Sequence, residues 1–319
     1  MDLSKQGEFG LIDGIRNGFR GVGNTDGVLG IGDDCAIIPQ TDGMDTLVST
    51  DMLVEGAHFL LDDVSAWQLG WKSAAVNISD IAAMGGKPIA TFLSFALPKT
   101  LPQGWKEEFM DGYKAISERY GVALLGGDTT SSPSALCINV AVLGTCAHGT
   151  AKLRSAARPG QLICVTGTLG DSGAGLKTIL EKRPRNPYLI SRHYEPTPRV
   201  EEGLELARTA GVGAMMDISD GIGMDLRHIL EESGVSAEID PGKLPLSREL
   251  LDACSAYGWD PVELATGGGE DYELLFTVDP EDEATLSVQH TVIGRITEGG
   301  DHSIRWIGTD RDYLGFRHF

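Results

Sequence analysis

The chain has 319 residues and a formal net charge of −20 at pH 7. This length exceeds the usual size of a single hydrophobic core, so we expect two domains, each with a core of its own. The strong negative charge argues against a nucleic-acid partner, because nucleic-acid binding depends on neutralising phosphates with Lys and Arg. An anionic substrate would therefore need bound cations as intermediaries.

The sequence contains no apolar run long enough to span a bilayer, so we expect no membrane segment. We also expect no export signal, because the first residues lack a basic region followed by an apolar stretch. The five cysteines are widely spaced and form no C-x-x-C pair. This spacing argues against a disulfide framework or a zinc site and favours a reducing cytoplasm.

Apolar and β-branched segments predict four strands in the first half of the chain. They cover residues 46–49, 90–97, 122–125 and 136–143. Two helical patterns lie between these strands. The first covers 65–84, with Ser65 as its expected N-cap, and the second covers 104–120 and ends at Gly121.

From about residue 151 the alternation of strands and helices starts again. Strands are predicted at 161–166, 213–216, 235–239, 272–278, 291–296 and 303–307, and helices from about 172 and at 199–210, 221–232 and 246–257. The segments 182–187 and 196–198 are predicted to be rigid, polar loops. We therefore expect an α/β (α+β) protein with two domains, 1–150 and 151–319, joined at the polar stretch 148–152.

Short acidic groups recur beside the apolar runs. They lie at 32–34, 49–51, 77–80, 126–128, 217–220, Asp225 and 268–271. Carboxylates next to small hydroxyl residues and glycines are hard oxygen ligands on a bendable backbone. A site for several magnesium ions and a polyphosphate requires such ligands, so the pattern points to phosphoryl transfer.

Within the predicted helix 65–84, Ser73, Asn77 and Asp80 fall on one face, and apolar residues supply most of the rest. A buried aspartate is costly unless it is paired or bound to a metal. We favour metal ligation for Asp80 over the alternative, a satisfied hydrogen bond in the core.

The other aspartates are more ambiguous when taken singly. Turn formation would explain Asp34 and Asp128 equally well, because Gly-Asp pairs are common at turns. Asp51 and Asp217 also stand at apolar runs, and together the four residues favour a common site. His58, taken alone, would more often be structural than catalytic.

The glycine-rich segment from Gly167 to Gly175 nearly matches a P-loop. Leu176 stands where a lysine should follow the last glycine, and the displaced Lys177 is rotated by about 100° around the helix. This pattern argues against a Walker ATPase. Phosphate binding by backbone N–H groups and plain tight packing both remain open for this turn.

Basic residues are scarce, which makes Arg154 a candidate to hold a phosphate with its guanidinium fork. Surface charge balance is the alternative. The sequence shows neither a G-x-S-x-G elbow nor a cysteine beside a plausible base, so serine-hydrolase and cysteine-nucleophile chemistry are not expected.

Seven longer motifs identify a family. They are GEF at 7–9, GIGDDCA at 30–36, STDMLVEGAHF at 49–59, AVNISDIAAMG at 75–85, GGDTT at 126–130, DISDG at 217–221 and GGEDYEL at 268–274. With these motifs the chain resembles the thiamine-monophosphate kinase family over nearly its whole length. That family belongs to the superfamily that includes aminoimidazole ribonucleotide synthetase and selenophosphate synthetase.

The resemblance implies an ATP- and Mg²⁺-dependent phosphorylation of thiamine monophosphate to thiamine diphosphate, in a homodimer whose amino-terminal sheets pair. It implies a metal site formed by Asp34, Ser49, Thr50, Asp51, Asp80, Asp128, Asp217 and Asp220. It places Gly127, Asp128, Arg154 and Ser219 near the nucleotide, and His58, Glu270 and Phe316 near thiamine monophosphate. No side chain is expected to act as a general base.

Two other functions remain possible on the residues alone. One is another ATP-dependent synthetase of the same superfamily. Selenophosphate synthetases carry a reactive Cys or Sec near the start of the chain. The earliest cysteine here, Cys35, lies inside a metal-type motif instead. The other is a non-catalytic acidic protein that binds magnesium or calcium.

Overall fold

The computed structural model describes residues 27–313, together with residues 12, 16, 17 and 315. The first half of this part forms a five-stranded sheet covered by two helices. Its elements are β1 Ala36–Pro39, β2 Met44–Val54, α1 Ala66–Ala83, β3 Lys87–Pro98, α2 Trp105–Tyr120, β4 Ala123–Ser132 and β5 Cys137–Ala147. The strand order is β1-β2-β5-β3-β4, in which only β3 and β4 run parallel.

The second half forms a six-stranded sheet with helices around it. After a short 3₁₀ turn at Arg154–Ala156, its elements are β6 Leu162–Thr166, α3 Asp171–Leu180, α4 Pro187–Tyr194, α5 Val200–Arg208, β7 Val212–Asp217, α6 Ile222–Ser233, β8 Ser236–Ile239, α7 Arg248–Tyr257, α8 Pro261–Gly267, β9 Leu274–Val278, α9 Pro280–Glu283, β10 His290–Thr297 and β11 Ile304–Trp306. The strand order is β11-β8-β10-β6-β9-β7. The predicted α/β class is confirmed.

Helix α1 links the two halves. Its start at Ser65 is confirmed, with a capping box in which the Ser65 hydroxyl accepts the N–H of Gln68 and the Gln68 side chain bonds back to Ser65. Residues of α1 share one hydrophobic cluster with Tyr194, Val200 and Tyr272 of the second half. Polar side chains of α1 also contact the second half, where Ser79 donates to Asp217 and Lys72 to Glu270.

Several elements differ from the sequence prediction. Strand β4 continues through 126–132, so the Gly-Gly-Asp group lies inside a strand and the turn interpretation of Asp128 is wrong. Pairing with β3 extends the strand through residues that carry no apolar pattern. Strand β1 and helices α4, α8 and α9 were not predicted, because each is short and all three helices begin at prolines that we assigned to loops or did not interpret.

Among the residues that the structure describes, no helix combines the length and the apolar composition needed to cross a membrane.

Candidate active site

Three aspartates from separate parts of the chain converge between the two sheets. One carboxylate oxygen from each of Asp34, Asp80 and Asp217 lies within 4.8 Å of the others. Asp34 precedes β1, Asp80 lies in the last turns of α1, and Asp217 ends β7. The first two come from the amino-terminal half and the third from the carboxyl-terminal half, so the fold itself assembles the cluster.

Burial and mutual repulsion disfavour negative charge in this cluster. Burial first, and then the charge of Asp34, raise the pKa of Asp217 to about 7 and that of Asp51 to about 6. Burial also raises the pKa of Asp80, with the charges of Asp51, Asp217 and Asp34 adding to it. A bound cation would relieve this repulsion.

The donor set fits a hard divalent ion. Asp34 Oδ2 is buried and has no hydrogen-bond partner among the described residues. An unsatisfied buried carboxylate oxygen is costly, and it lies in a group of aspartates whose oxygens are the ligands that Mg²⁺ prefers. The three aspartates of the cluster are therefore suited to hold magnesium.

Two serine hydroxyls fix the orientation of the aspartates. Ser49 Oγ donates to Asp80 Oδ2 at 2.5 Å, and Ser79 Oγ donates to Asp217 Oδ2 at 2.5 Å. Ser79 and Asp217 belong to different halves, so this bond also joins the halves. Sequence reasoning missed the role of Ser79, although the residue stands inside the acidic group 77–80.

Asp80 therefore accepts a hydrogen bond, which is what the alternative of a satisfied core aspartate predicts. That bond occupies only one of its oxygens, and the surrounding carboxylates still raise its pKa. Asp51 is placed beside it by α1, because Asn77 Oδ1 accepts the backbone N–H of Asp51 at 3.1 Å.

Arg154 lies at the edge of the cluster and not on the open surface. Its guanidinium donates to Asp34 Oδ1, and its backbone N–H donates to Asp33 Oδ2 at 3.1 Å. Burial and the neighbouring Asp34 raise the pKa of Asp33 to about 7. Arg154 therefore supplies a positive charge where carboxylates are crowded, and its side chain is only 18% exposed.

A cavity of about 470 Å³ opens beside the cluster and is lined by both halves of the chain. Asp51, Asp80 and Asp217 form part of its wall, and Ser219 and Asp220 follow them on the turn after β7. The wall also includes His58, Phe59, Tyr194, Glu270 and Tyr272. The wall of the cavity thus combines carboxylates with aromatic rings.

Glu270 carries two buried partners that the sequence analysis missed. Lys72 Nζ lies 2.8 Å from Glu270 Oε1 and 2.9 Å from Oε2, and His193 Nδ1 lies 3.3 Å from Oε2. A lysine within the mostly apolar helix 65–84 was the available signal for the first of them. His58, the other predicted residue here, accepts the N–H of Val54 at 3.0 Å through Nδ1.

Some predicted site residues lie away from the cluster. Thr50 lies between Ser49 and Asp51 on β2, so its side chain points to the opposite face, where Thr50 Oγ1 donates to Val140 O at 3.0 Å. Gly127 and Asp128 lie on β4, three strands from β2 and roughly 14 Å away along the sheet. Phe316 lies outside the described residues.

The glycine-rich turn before α3 already binds a carboxyl group of the protein itself. The N–H groups of Gly170 and Ser172 donate to the buried carboxylate of Asp271 at 2.7 and 3.2 Å. Lys177 Nζ lies 5.3 Å from the centre of the Trp259 ring. These contacts favour the packing interpretation of this segment over phosphate binding.

Comparisons with known proteins show the family of this chain. The family model of the AIR synthase related protein N-terminal domain matches residues 32–146, and that of the C-terminal domain matches 158–307. The thiamine-monophosphate kinase of Aquifex aeolicus (strain VF5) is 38% identical over 323 residues, with 100% of each chain covered. That of Bacillus subtilis (strain 168) is 38% identical, with 98% of this chain and 99% of the relative covered.

A solved structure described as AaThiL complexed with AMPPCP and TMP has a TM-score of 0.90 and 37% identity, and covers 100% of this chain and 99% of its own. Both family models and the full-length relatives lead to the same assignment. This chain therefore belongs to the AIR synthase related proteins and, within them, to the thiamine-monophosphate kinase family.

Proposed function

We propose that this protein transfers the γ-phosphoryl group of ATP to thiamine monophosphate, giving thiamine diphosphate and ADP. The observation that carries the proposal is the convergence of Asp34, Asp80 and Asp217 beside a cavity lined by both halves of the chain. The family assignment supports it, as does the complex of the related AaThiL with AMPPCP and TMP.

The attacking group needs no general base. A phosphate monoester is largely dianionic at neutral pH, because its second pKa is about 6. The obstacle is the approach of two anions, since each pair of unit charges at about 4 Å repels by roughly 4 kcal/mol at an effective dielectric constant near 20. Catalysis on this account consists of alignment and electrostatic stabilisation.

We further propose that the cluster holds Mg²⁺ through Asp34, Asp51, Asp80 and Asp217. Bound magnesium would supply positive charge to the phosphates of both substrates. Ser49 and Ser79 hold the carboxylates in orientation through their hydroxyl groups. The family resemblance alone supports Ser49, Thr50, Asp128 and Asp220 as further metal ligands, because the structure places Thr50 and Asp128 away from the three aspartates.

The remaining site residues are proposed from their positions and the resemblance. Arg154 and Ser219 would contact the nucleotide, with Gly127 and Asp128 of β4. His58 and Glu270 would contact thiamine monophosphate, since both line the cavity, and Phe316 is proposed from the resemblance alone.

We also propose a homodimer formed through the amino-terminal sheet. Strand β4 is an exposed edge strand, with Leu124 40% and Leu125 64% exposed, and Phe92 of β3 is 39% exposed. Such an apolar edge is a template for pairing with another chain. Sedimentation of wild type and Leu125→Lys tests this idea: a wild-type monomer would contradict it, and a dimer lost in the variant would support it.

The division of the chain at about residue 150 and a cytoplasmic location are likewise proposals. The two separate sheets support the division. Limited proteolysis that never cuts near residue 150 but cuts within one sheet would argue against it.

The five free cysteines support the cytoplasmic location. Labelled protein recovered from another compartment would contradict it.

A coupled assay of ADP release, with and without thiamine monophosphate, tests the function. We expect ADP release that requires both Mg²⁺ and thiamine monophosphate, with thiamine diphosphate as the second product. ADP release that does not depend on thiamine monophosphate would favour another synthetase of the superfamily. Magnesium binding without any ADP release would favour the non-catalytic cation-binding protein.

A further inference from the structure

Lys72 is the only lysine that is both fully buried and next to the cavity among the described residues. It lies on α1 with 0% of its side chain exposed, and its ammonium contacts both oxygens of Glu270. A buried ammonium requires a counter-charge. The pair joins the two halves of the chain at the wall of the cavity, because Glu270 itself lines the cavity and its side chain is 25% exposed.

The backbone of Glu270 is held in an unusual conformation. Its φ is 55°, in the left-handed region that residues other than glycine rarely adopt. The N–H of Glu270 donates to Ser219 O at 2.7 Å, which ties the segment to the turn after β7. Such strain persists where the surroundings fix the residue, and it is frequent at functional sites.

His193 contacts the same carboxylate but does not supply the counter-charge. Its Nδ1 lies 3.0 Å from Ser172 Oγ and 3.3 Å from Glu270 Oε2. Burial, followed by the charge of Lys72, lowers the pKa of His193 to about 3, so the ring is neutral near pH 7. Lys72 is therefore the cation that offsets the charge of Glu270 in this network.

We propose that Lys72 is a positioning residue for substrate recognition: by holding both oxygens of Glu270, it directs the remaining lone pairs of that carboxylate into the cavity, where they accept hydrogen bonds from N–H donors of the substrate. This inference rests on the proposed function, and on Glu270 as the residue through which Lys72 acts. Lys72 does not itself line the cavity.

A double-mutant cycle on Lys72→Met and Glu270→Gln tests the inference. We expect Lys72→Met to raise the KM for thiamine monophosphate about tenfold, because a charge-assisted hydrogen bond that fixes the acceptor is lost. The KM for ATP should stay unchanged. In the Glu270→Gln background, Lys72→Met should raise the KM for thiamine monophosphate no further. Effects that multiply in the double variant would overturn the proposal, since Lys72 would then act independently of Glu270.

Lys152→Met is the matched control. Lys152 is also a partly buried lysine with a tertiary contact, Nζ lying 2.7 Å from Val212 O, but this contact stays within the second half and Lys152 does not line the cavity. If stabilising the fold were the only role of Lys72, both variants would melt at lower temperature and leave both KM values unchanged. We expect that result for Lys152→Met alone.

The cycle remains informative if the single variant Lys72→Met does not fold. The double variant removes both charges of a buried pair, a change that proteins often tolerate. Its KM for thiamine monophosphate should equal that of Glu270→Gln, and a higher value would overturn the proposal. If wild type is active and folded Lys72→Met has an unchanged KM for thiamine monophosphate, this inference alone is rejected. If wild type is inactive, the proposed function is rejected and the inference with it.

Discussion

At the scale of single residues, the site depends on hydrogen-bond donors that hold like charges together. Ser49 holds Asp80, and Ser79 holds Asp217. Each bond satisfies one carboxylate oxygen and leaves the other available to a cation. The protein thus keeps a repulsive arrangement in the absence of metal, which costs stability and serves the proposed chemistry.

The replacement Asp80→Asn should separate these two effects. The amide can still accept the Ser49 hydrogen bond but carries no charge, so the melting temperature of the metal-free protein should rise. ADP release should fall at least about a hundredfold, because a ligand of the proposed Mg²⁺ is lost. Thermal unfolding without metal and the coupled ADP assay measure the two quantities.

Asp252→Asn serves as the control for Asp80→Asn. Asp252 lies on α7 with 72% of its side chain exposed and pairs with Arg248. Exposed ion pairs contribute little, so neither quantity should change measurably. A lower melting temperature together with full activity in Asp80→Asn would contradict the assignment of Asp80 to the cluster.

At the scale of elements, α1 positions much of the site. It carries Lys72, Asn77, Ser79 and Asp80, and it contacts both halves of the chain. It approaches α2 closely through glycines: a Cβ on Gly112 would lie 1.8 Å from Trp67 O, and one on Gly70 would lie 1.9 Å from Phe109 O. The position of α1 therefore depends on backbone contact that only glycine permits.

Gly112→Ala should consequently displace α1 from α2. We expect a loss of about 3 kcal/mol or more in the free energy of unfolding, because the added methyl group meets backbone and not a flexible side chain. Residual folded protein should show reduced ADP release. Gly300→Ala is the control, since a Cβ there meets nothing within 4 Å. Equal stability of the two variants in urea would show that the helices are not packed as described.

Some helices and strands could be predicted from the sequence and others could not. The long apolar strands and the capped helix at Ser65 were predictable, because hydrophobic period and capping are local signals. The continuation of β4 through Asp128 was not, since pairing with β3 determines it. The helix Pro187–Tyr194 had a readable signal in its N-cap, Asn186, which accepts from the N–H of Tyr188 and Leu189, but the surrounding prolines suggested a loop.

At the scale of the whole molecule, the arrangement of the two halves decides which predicted residues meet. Asp34, Asp80 and Asp217 were recognisable from their acidic motifs, and the fold brings them together. The sequence could not reveal that Asp128 lies across the sheet, because strand order is a tertiary property. Nor could it pair Lys72 with Glu270, which lies 198 positions farther along the chain.

The crowded carboxylates predict how stability depends on pH when no metal is bound. The pKa values of Asp33 and Asp217 in the folded protein are about 7, above the value of about 3.9 for an unfolded aspartate. The stability that these groups contribute is therefore fully present below about pH 4 and is lost as the pH rises through about 7. Buried His193 and His228 act in the opposite direction, because their pKa values are lowered to about 3 and about 4. Their effect is confined to pH values below roughly 6.5.

Between about pH 6.5 and pH 8, the melting temperature of the metal-free protein should therefore fall by a few degrees. Added Mg²⁺ should reduce this fall, because the metal binds the deprotonated carboxylates. Differential scanning calorimetry with EDTA and with excess Mg²⁺ provides the comparison. Parallel pH profiles in the two series would mean that the cation does not bind at these aspartates.

The most direct measurement of the central claim is a crystal structure with Mn²⁺ in place of Mg²⁺, a non-hydrolysable ATP analogue and thiamine monophosphate. The account predicts anomalous peaks within roughly 2.2 Å of carboxylate oxygens of Asp34, Asp80 and Asp217, between the phosphates of the two ligands. Bound ligands with no anomalous peak among these oxygens, or with the three carboxylates dispersed, would contradict it.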